Sequence, residues 1–201
     1  MLVTDDALVG GRDPVGLARA AVQGGVSSVQ LRLKQATPRE LLTLARALID
    51  ALPVPVIVND RLDVALAAGA AGVHLGPDDL PLELARRRAP PGFLIGASVG
   101  LLEEVSRGRG ADYWGVGPWR VSETKPGAGA PIGSEGFRAI VAAAGGIPCI
   151  AIGGVRPEDV PEVLAAGGAG VAVASGILAA PDPERAAVRY ATRGVPARYS
   201  P

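Results

Sequence analysis

The sequence predicts a single (βα)8 barrel, on three observations. Eight short β-rich or apolar runs alternate with Ala/Leu/Arg-rich amphipathic stretches. The runs are nearly all apolar, as strands of a parallel sheet covered on both faces must be. A helix-to-strand segment also recurs before every second run. At 201 residues the whole chain, 1–201, reads as one domain at the small end of the size range for this barrel.

Taken in order, the strands fall at LVT (2–4), SVQLR (28–32), PVIV (55–58), GVHL (72–75), FLIGA (93–97), DYWGV (112–116), IPCIAI (147–152) and AGVAVA (169–174). Helices are predicted over 14–23, 38–51, 62–68, 81–88, 101–107, 134–144, 157–166 and 183–193. Several open with Pro in the first turn, where its missing N–H costs nothing, and close just before a Gly. The segments AAVQGGVSSVQL, ALAAGAAGVHL, VSRGRGADYWGV and VLAAGGAGVAV each place Gly where a helix end needs a left-handed residue, then enter a strand. That is the periodicity of a barrel assembled from quarter units. The rival, an open doubly wound sheet, lacks the G-x-G-x-x-G turn of dinucleotide binders at its first strand, and nothing points to NAD.

Composition excludes several classes of partner. Lys plus Arg equals Asp plus Glu at 20 each and aromatics are 3 %, so there is neither a basic field nor a set of stacking platforms for nucleic acid. No apolar stretch reaches the roughly 20 residues that cross a bilayer, and the start, MLVTDDALVGG, is acidic where a secretory leader is basic. A cytoplasmic enzyme of small molecules, free of membrane, is the expectation. Cys149, the single cysteine, lies in the apolar run IPCIAIGG and reads as a buried structural thiol of a reducing compartment. The tail TRGVPARYSP is expected to fray or to pack a partner; a homo-oligomer is compatible with the sequence, which does not choose the state.

Scarcity marks the chemistry. Lys34 and Lys125 are the only lysines among 20 basic residues, Asn59 is the only asparagine and His74 the only histidine. Arginine serves as the generic surface cation, so a retained lysine marks a place that needs a compact ammonium, unless biased codon supply alone accounts for the count.

In this fold the active site lies at the C-terminal ends of the strands. Reading off those ends gives Arg32, Lys34, Asn59, Asp60, His74, Asp79, Ser98, Ser122, Thr124, Lys125, Gly153, Gly154, Ser175 and Gly176. Arg32, Lys34 and Lys125 form a cationic set suited to a diphosphate. Asp60 and Asp79 are the carboxylates best placed for magnesium, which takes one or two carboxylates plus phosphate oxygens. Each also stands just before a helix, where Asp is a common N-cap, and Asp63 and Asp78 are neighbouring decoys. The turns after the seventh and eighth strands, IAIGGV and VAVASGIL, suit a monophosphate cradled by backbone N–H groups. The connection PWRVSETKPGAGAPIG, residues 118–133, far exceeds the usual loop of about 4 to 6 residues and reads as an active-site loop. His74 is given a pocket-shaping role, and with no second His and one Cys there is no zinc ligand set. A diphosphate–magnesium site beside a monophosphate site suits transfer of a carbon group from a diphosphate ester to a phosphorylated acceptor.

At these residues the sequence resembles the thiamine phosphate synthases, also called thiamine-phosphate pyrophosphorylases. The match runs in order through VQLRLK, VNDRLDVALAAGAAGVHLGPDDL, LIGASV, ADYWGVGP, SETKPGAG, IAIGGV and AVASGI. The resemblance implies a magnesium-dependent barrel enzyme that joins 4-amino-2-methyl-5-pyrimidinylmethyl diphosphate to 4-methyl-5-(2-phosphoethyl)thiazole and releases diphosphate. It further implies that Gln30, Leu31, Arg32, Leu33 and Lys34, with Asn59, Ser98 and Lys125, hold the pyrimidine diphosphate, and that Asp60 and Asp79 hold magnesium. Ser122, Glu123, Thr124, Gly154, Ala174 and Ser175 take the thiazole phosphate, and Lys34, Lys125 and Ser98 are the catalytic candidates.

The family commonly has Glu where this chain has Leu33, Gln where it has Pro77, and Thr where it has Ser122. Two other readings stay in view. A thiazole tautomerase shares the barrel but has His where this chain has Pro118 and lacks an acid at the place of Asp79. A non-catalytic sensor of thiazole phosphate or thiamine phosphate has no need of the metal pair.

Overall fold

The computed structural model describes residues 1–121 and 129–192. Its sheet has eight parallel strands in sequence order: β1 (Leu2–Val3), β2 (Val29–Leu31), β3 (Val56–Asn59), β4 (Gly72–Leu75), β5 (Leu94–Val99), β6 (Tyr113–Val116), β7 (Cys149–Ile152) and β8 (Gly170–Ala172). A bridge between Leu2 and Val173 joins the two end strands, with Val3 N donating to Val173 O at 2.9 Å. The sheet therefore closes on itself, as the quarter-unit repeat predicts. The glycines of that repeat, Gly25, Gly69, Gly110 and Gly167, all have positive φ, between 73° and 97°.

The helices are α1 (Asp6–Val9), α2 (Pro14–Gln23), α3 (Pro38–Ala51), α4 (Leu62–Ala68), α5 (Leu82–Arg88), α6 (Val105–Gly108), α7 (Gly133–Ala143), α8 (Val160–Ala165), α9 (Ser175–Leu178) and α10 (Pro183–Ala191). Three starts share one local chemistry. Asp13, Thr37 and Asp182 precede Pro14, Pro38 and Pro183, and each accepts a hydrogen bond from a first-turn amide. At Thr37 the bond is reciprocated by Glu40, whose Oε2 accepts from Thr37 N at 2.7 Å.

The structure departs from the sequence expectation in its short elements. The helices expected over 101–107 and 157–166 begin as 3-10 turns, Leu102–Glu104 and Pro157–Asp159, before widening into α6 and α8. Helices α1 and α9, one turn each, sit in connections where the sequence predicts no helix. The first of these is started by Asp5, whose side chain accepts from Ala7 N and Leu8 N, and stopped by left-handed Gly10 at φ 51°.

Two apolar clusters fill the layer between strands and helices. One joins β1 to β4 with small helix residues such as Ala18, Ala45 and Ala65, which let helices approach closely. The other collects Trp114, Trp119, Phe137 and Ile140 around β5 to β7, and Cys149 lies within it, its thiol pushed up to about 11 by burial. Among the described residues no helix is long and apolar enough to cross a membrane.

Candidate active site

A cavity of about 280 Å³ opens at the C-terminal ends of the strands. Gln30, Arg32, Asn59, His74, Ser98, Glu104, Gly154, Ala174 and Ser175 are among its walls. On β2 the alternation of side chains sends Gln30 and Arg32 to this side and Leu31 into the core.

Side chains build one part of the mouth. Arg32 is held by Asp5, Nη1 to Oδ2 at 3.0 Å, while Thr4 Oγ1 accepts from Arg32 N at 2.7 Å and donates to Arg32 O at 3.2 Å. Asp6 fixes the next residues, its carboxylate accepting from Lys34 N at 2.8 Å and Gln35 N at 3.1 Å. The Lys34 ammonium then reaches Asp60 Oδ2 at 3.4 Å.

Asp60 has φ 63°, the one non-glycine residue with positive φ among those described, and its amide donates to His74 O at 2.8 Å. Such a backbone is costly for an L residue and collects at functional sites. Burial raises the Asp60 pKa above its ordinary value and the adjacent Asp79 raises it further, while Lys34 pulls it down. Neither acid is spent on a helix cap: Arg61 and Pro81 occupy the N-cap positions of α4 and α5, and neither makes a side-chain cap bond. Asp79 instead accepts from Gly76 N at 2.6 Å, which shapes its own turn. Of the decoys, Asp63 is paired with Arg61 on the surface and Asp78 is exposed.

Backbone builds another part. Gly153 and Gly154, at φ 88° and 67°, follow β7 and lie under the root of the long connection. A Cβ on Gly153 would stand 2.8 Å from Pro118 Cα, and one on Gly154 would stand 2.8 Å from Val121 O. That root is pinned by Trp119 N donating to Ile152 O and Arg120 N to Gly153 O, both at 2.8 Å. The Arg120 guanidinium grips buried Asp159, with Nε to Oδ2 at 3.0 Å, and holds that carboxyl below its ordinary pKa. Ile132 N donates to Pro118 O at 2.9 Å, so the connection returns to where it left. After β8, Ser175 opens α9, and its neighbour Gly176 is required by packing, since a Cβ there would meet Tyr190 Oη at 2.0 Å.

Across the cavity floor runs a polar chain on β4, β5 and β6. His74 Nδ1 faces Tyr113 Oη at 3.1 Å, and Nε2 faces Ser98 Oγ at 3.0 Å. Register explains the fit: Gly96 lies between His74 and Tyr113, and a Cβ on it would fall 2.2 Å from the Tyr113 ring.

The thiamine monophosphate synthase family model matches residues 1–177. The chain belongs to this family. It is 48 % identical over 193 residues to the thiamine-phosphate synthase of Albidiferax ferrireducens, covering 94 % of this chain and 88 % of that one. It is 45 % identical over 189 residues to that of Herpetosiphon aurantiacus, covering 92 % and 90 %. Among solved structures, the thiamine phosphate pyrophosphorylase from Pyrococcus furiosus superposes with a TM-score of 0.85 at 36 % identity, over 96 % of this chain and 94 % of that one.

Against this family background, the structure brings Gln30, Arg32, Asn59, Ser98, Gly154, Ala174 and Ser175 to one cavity, and sets Lys34, Asp60 and Asp79 together beside it. Leu31 and Leu33 are placed otherwise: Leu31 is fully buried in the core and Leu33 packs against the same cluster, so neither side chain lines the cavity. Ser122, Glu123, Thr124 and Lys125 lie outside the described residues, as does the tail from 193. Thr4, Asp5, Asp6, Glu104 and Tyr113 were not singled out by sequence. Asp5 and Asp6 carried a signal, an acidic pair before an apolar turn that ends in Gly-Gly.

Proposed function

We propose that this transferase joins 4-amino-2-methyl-5-pyrimidinylmethyl diphosphate to 4-methyl-5-(2-phosphoethyl)thiazole, with Asp60 and Asp79 holding magnesium. The observation that carries the reading is the juxtaposition of Lys34, Asp60 and Asp79 beside a cavity that Asn59, Gly154 and Ser175 line. The acid pair fits the metal. Two crowded carboxylates with one raised pKa call for a cation, and magnesium takes one or two carboxylates with phosphate oxygens completing its shell. Among the described residues no cluster of three or more metal-ligating side chains forms, so a metal needing a closed protein cage has no match.

The residues divide the work. Arg32, oriented by Asp5, offers its fork to the diphosphate, and Lys34 adds a mobile charge. When bound, magnesium neutralises charge on the departing diphosphate. The bond from the exocyclic methylene carbon to the diphosphate oxygen breaks, the oxygen keeps the electron pair, and the thiazole nitrogen donates its own pair to that carbon. Gly154, Ala174 and Ser175 hold the thiazole phosphate, so the two reactants meet at a fixed distance instead of by collision. Ser122, Glu123, Thr124 and Lys125, in the connection 118–133, complete the two phosphate sites.

The test is an assay of purified protein with both substrates and magnesium, following thiamine phosphate and diphosphate, with an EDTA control. Equal amounts of both products, abolished by EDTA, support the reading. Absence of product from protein that still binds thiazole phosphate overturns it in favour of a tautomerase or a sensor.

A further inference from the structure

We propose that Tyr113 is a positioning residue: through the ring of His74 it fixes Ser98 as a hydrogen-bond donor into the cavity. The inference rests on the proposed role of Ser98 as a substrate contact and adds the direction of that contact.

A neutral imidazole has one N–H and one bare nitrogen. With hydroxyls at 3.1 Å from Nδ1 and 3.0 Å from Nε2, one hydroxyl donates to the ring and the other accepts from it. If Ser98 donated to Nε2, its proton would be used up and only lone pairs would face the substrate. If Tyr113 donates to Nδ1, the ring proton sits on Nε2, Ser98 Oγ accepts it, and the serine proton turns to the cavity that Ser98 lines.

The chemistry of the two hydroxyls selects the second arrangement. A phenol is a stronger donor and a weaker acceptor than an aliphatic hydroxyl, so the bare nitrogen faces the tyrosine.

The packing holds the line straight. Gly96 leaves the slot that both rings fill, since a Cβ there would meet Tyr113 Oη at 2.5 Å and His74 Nδ1 at 2.6 Å. Gly115, beside Ser98 in register, does the same on the next strand, where a Cβ would reach His74 Cε1 at 3.0 Å. A substrate must then present an acceptor atom to Ser98, such as a ring nitrogen or a phosphate oxygen. A donor at that point meets another donor.

His74 is the only histidine of the chain, so untagged, 15N-labelled protein gives a single imidazole in a long-range 1H–15N correlation spectrum. At about pH 8, above the ordinary imidazole pKa, the expected spectrum is that of the Nε2–H tautomer. Tyr113→Phe is expected to shift the population toward Nδ1–H and to lower kcat roughly tenfold, the worth of one hydrogen bond. In a Ser98→Ala background the same substitution should cost little more, because Tyr113 acts through Ser98. An Nδ1–H tautomer in the wild type, or additive losses in the double variant, overturns the proposal. Should Tyr113→Phe not fold, the wild-type spectrum decides alone. The tautomer is read without turnover, so an inactive protein with Nε2–H would break the proposed function and leave this inference standing, and an active one with Nδ1–H would do the reverse.

Discussion

The mouth of the barrel is built in two ways. Around β2 to β4, side chains do the work: Arg32, Lys34, Asp60 and Asp79 are charges held in place by other charges and by Thr4, Asp5 and Asp6. Around β6 to β8, backbone does it: Gly153 and Gly154 lie under Pro118 to Val121, and Gly176 lies under Tyr190. The difference separates two kinds of fragility. A charge can be removed with little harm to the fold, whereas a glycine under a crossing chain cannot take even one methyl group without movement.

The largest expected effect belongs to the side-chain region. Asp60→Asn keeps a residue type tolerant of φ 63° and removes the carboxylate, so magnesium-dependent turnover should fall on the order of a thousandfold. Its melting temperature should hold or rise, since the repulsion with Asp79 is relieved. A comparable loss of melting temperature would erase the contrast between the regions.

Gly154→Ala should show the opposite balance. Its methyl would be forced against Val121 O in a left-handed backbone, costing about 1–3 kcal/mol of stability by denaturant titration. The KM for thiazole phosphate should rise while that for the pyrimidine diphosphate stays; an equal rise in both would merge the two regions.

The Arg120–Asp159 pair sharpens the backbone side, because it ties the root of the connection to the turn after β7. Arg120→Ala should cost about 1–2 kcal/mol at neutral pH, less than a fully buried pair because the arginine is half exposed. Asp159 has its pKa lowered by Arg120, so the pair's contribution is present above the ordinary carboxylate range and is lost as pH falls through the lowered value. Wild type and variant should therefore converge in acid as Asp159 takes up its proton; a gap that does not narrow as pH falls below the ordinary carboxylate range would detach it from this ionisation. The smallest effect belongs to Asp63→Ala. Its partner Arg61 is on the surface, and stability should change by less than about 0.5 kcal/mol with activity unchanged, the control for Asp60.

The strands and their helices were legible because burial on both faces writes near-continuous apolar runs, and because the left-handed glycines before β2, β4, β6 and β8 need no tertiary partner to be recognised. That Asp60 and Asp79 stand together follows from their places after β3 and β4, and the choice of them over Asp63 and Asp78 was carried by the family resemblance. What sequence did not reveal is held by long-range contacts. Thr4 and Asp5 meet Arg32 across 28 and 27 positions, and Tyr113 meets His74 across 39, with no period to announce them. Leu31 and Leu33 fall inside a motif of which Gln30 and Arg32 line the cavity, so a contiguous reading of VQLRLK overcounts the wall.

The left-handed backbone at Asp60 also bears on how this sequence can drift. Gly, Asn and Asp are the residue types most at ease there, and of these only Asp carries a carboxylate. Selection for folding alone would pass the two substitutions that abolish the proposed metal site. A lineage released from the need for turnover could thus lose its chemistry at this one codon while its barrel, and any affinity of the glycine turns for a phosphate, persisted.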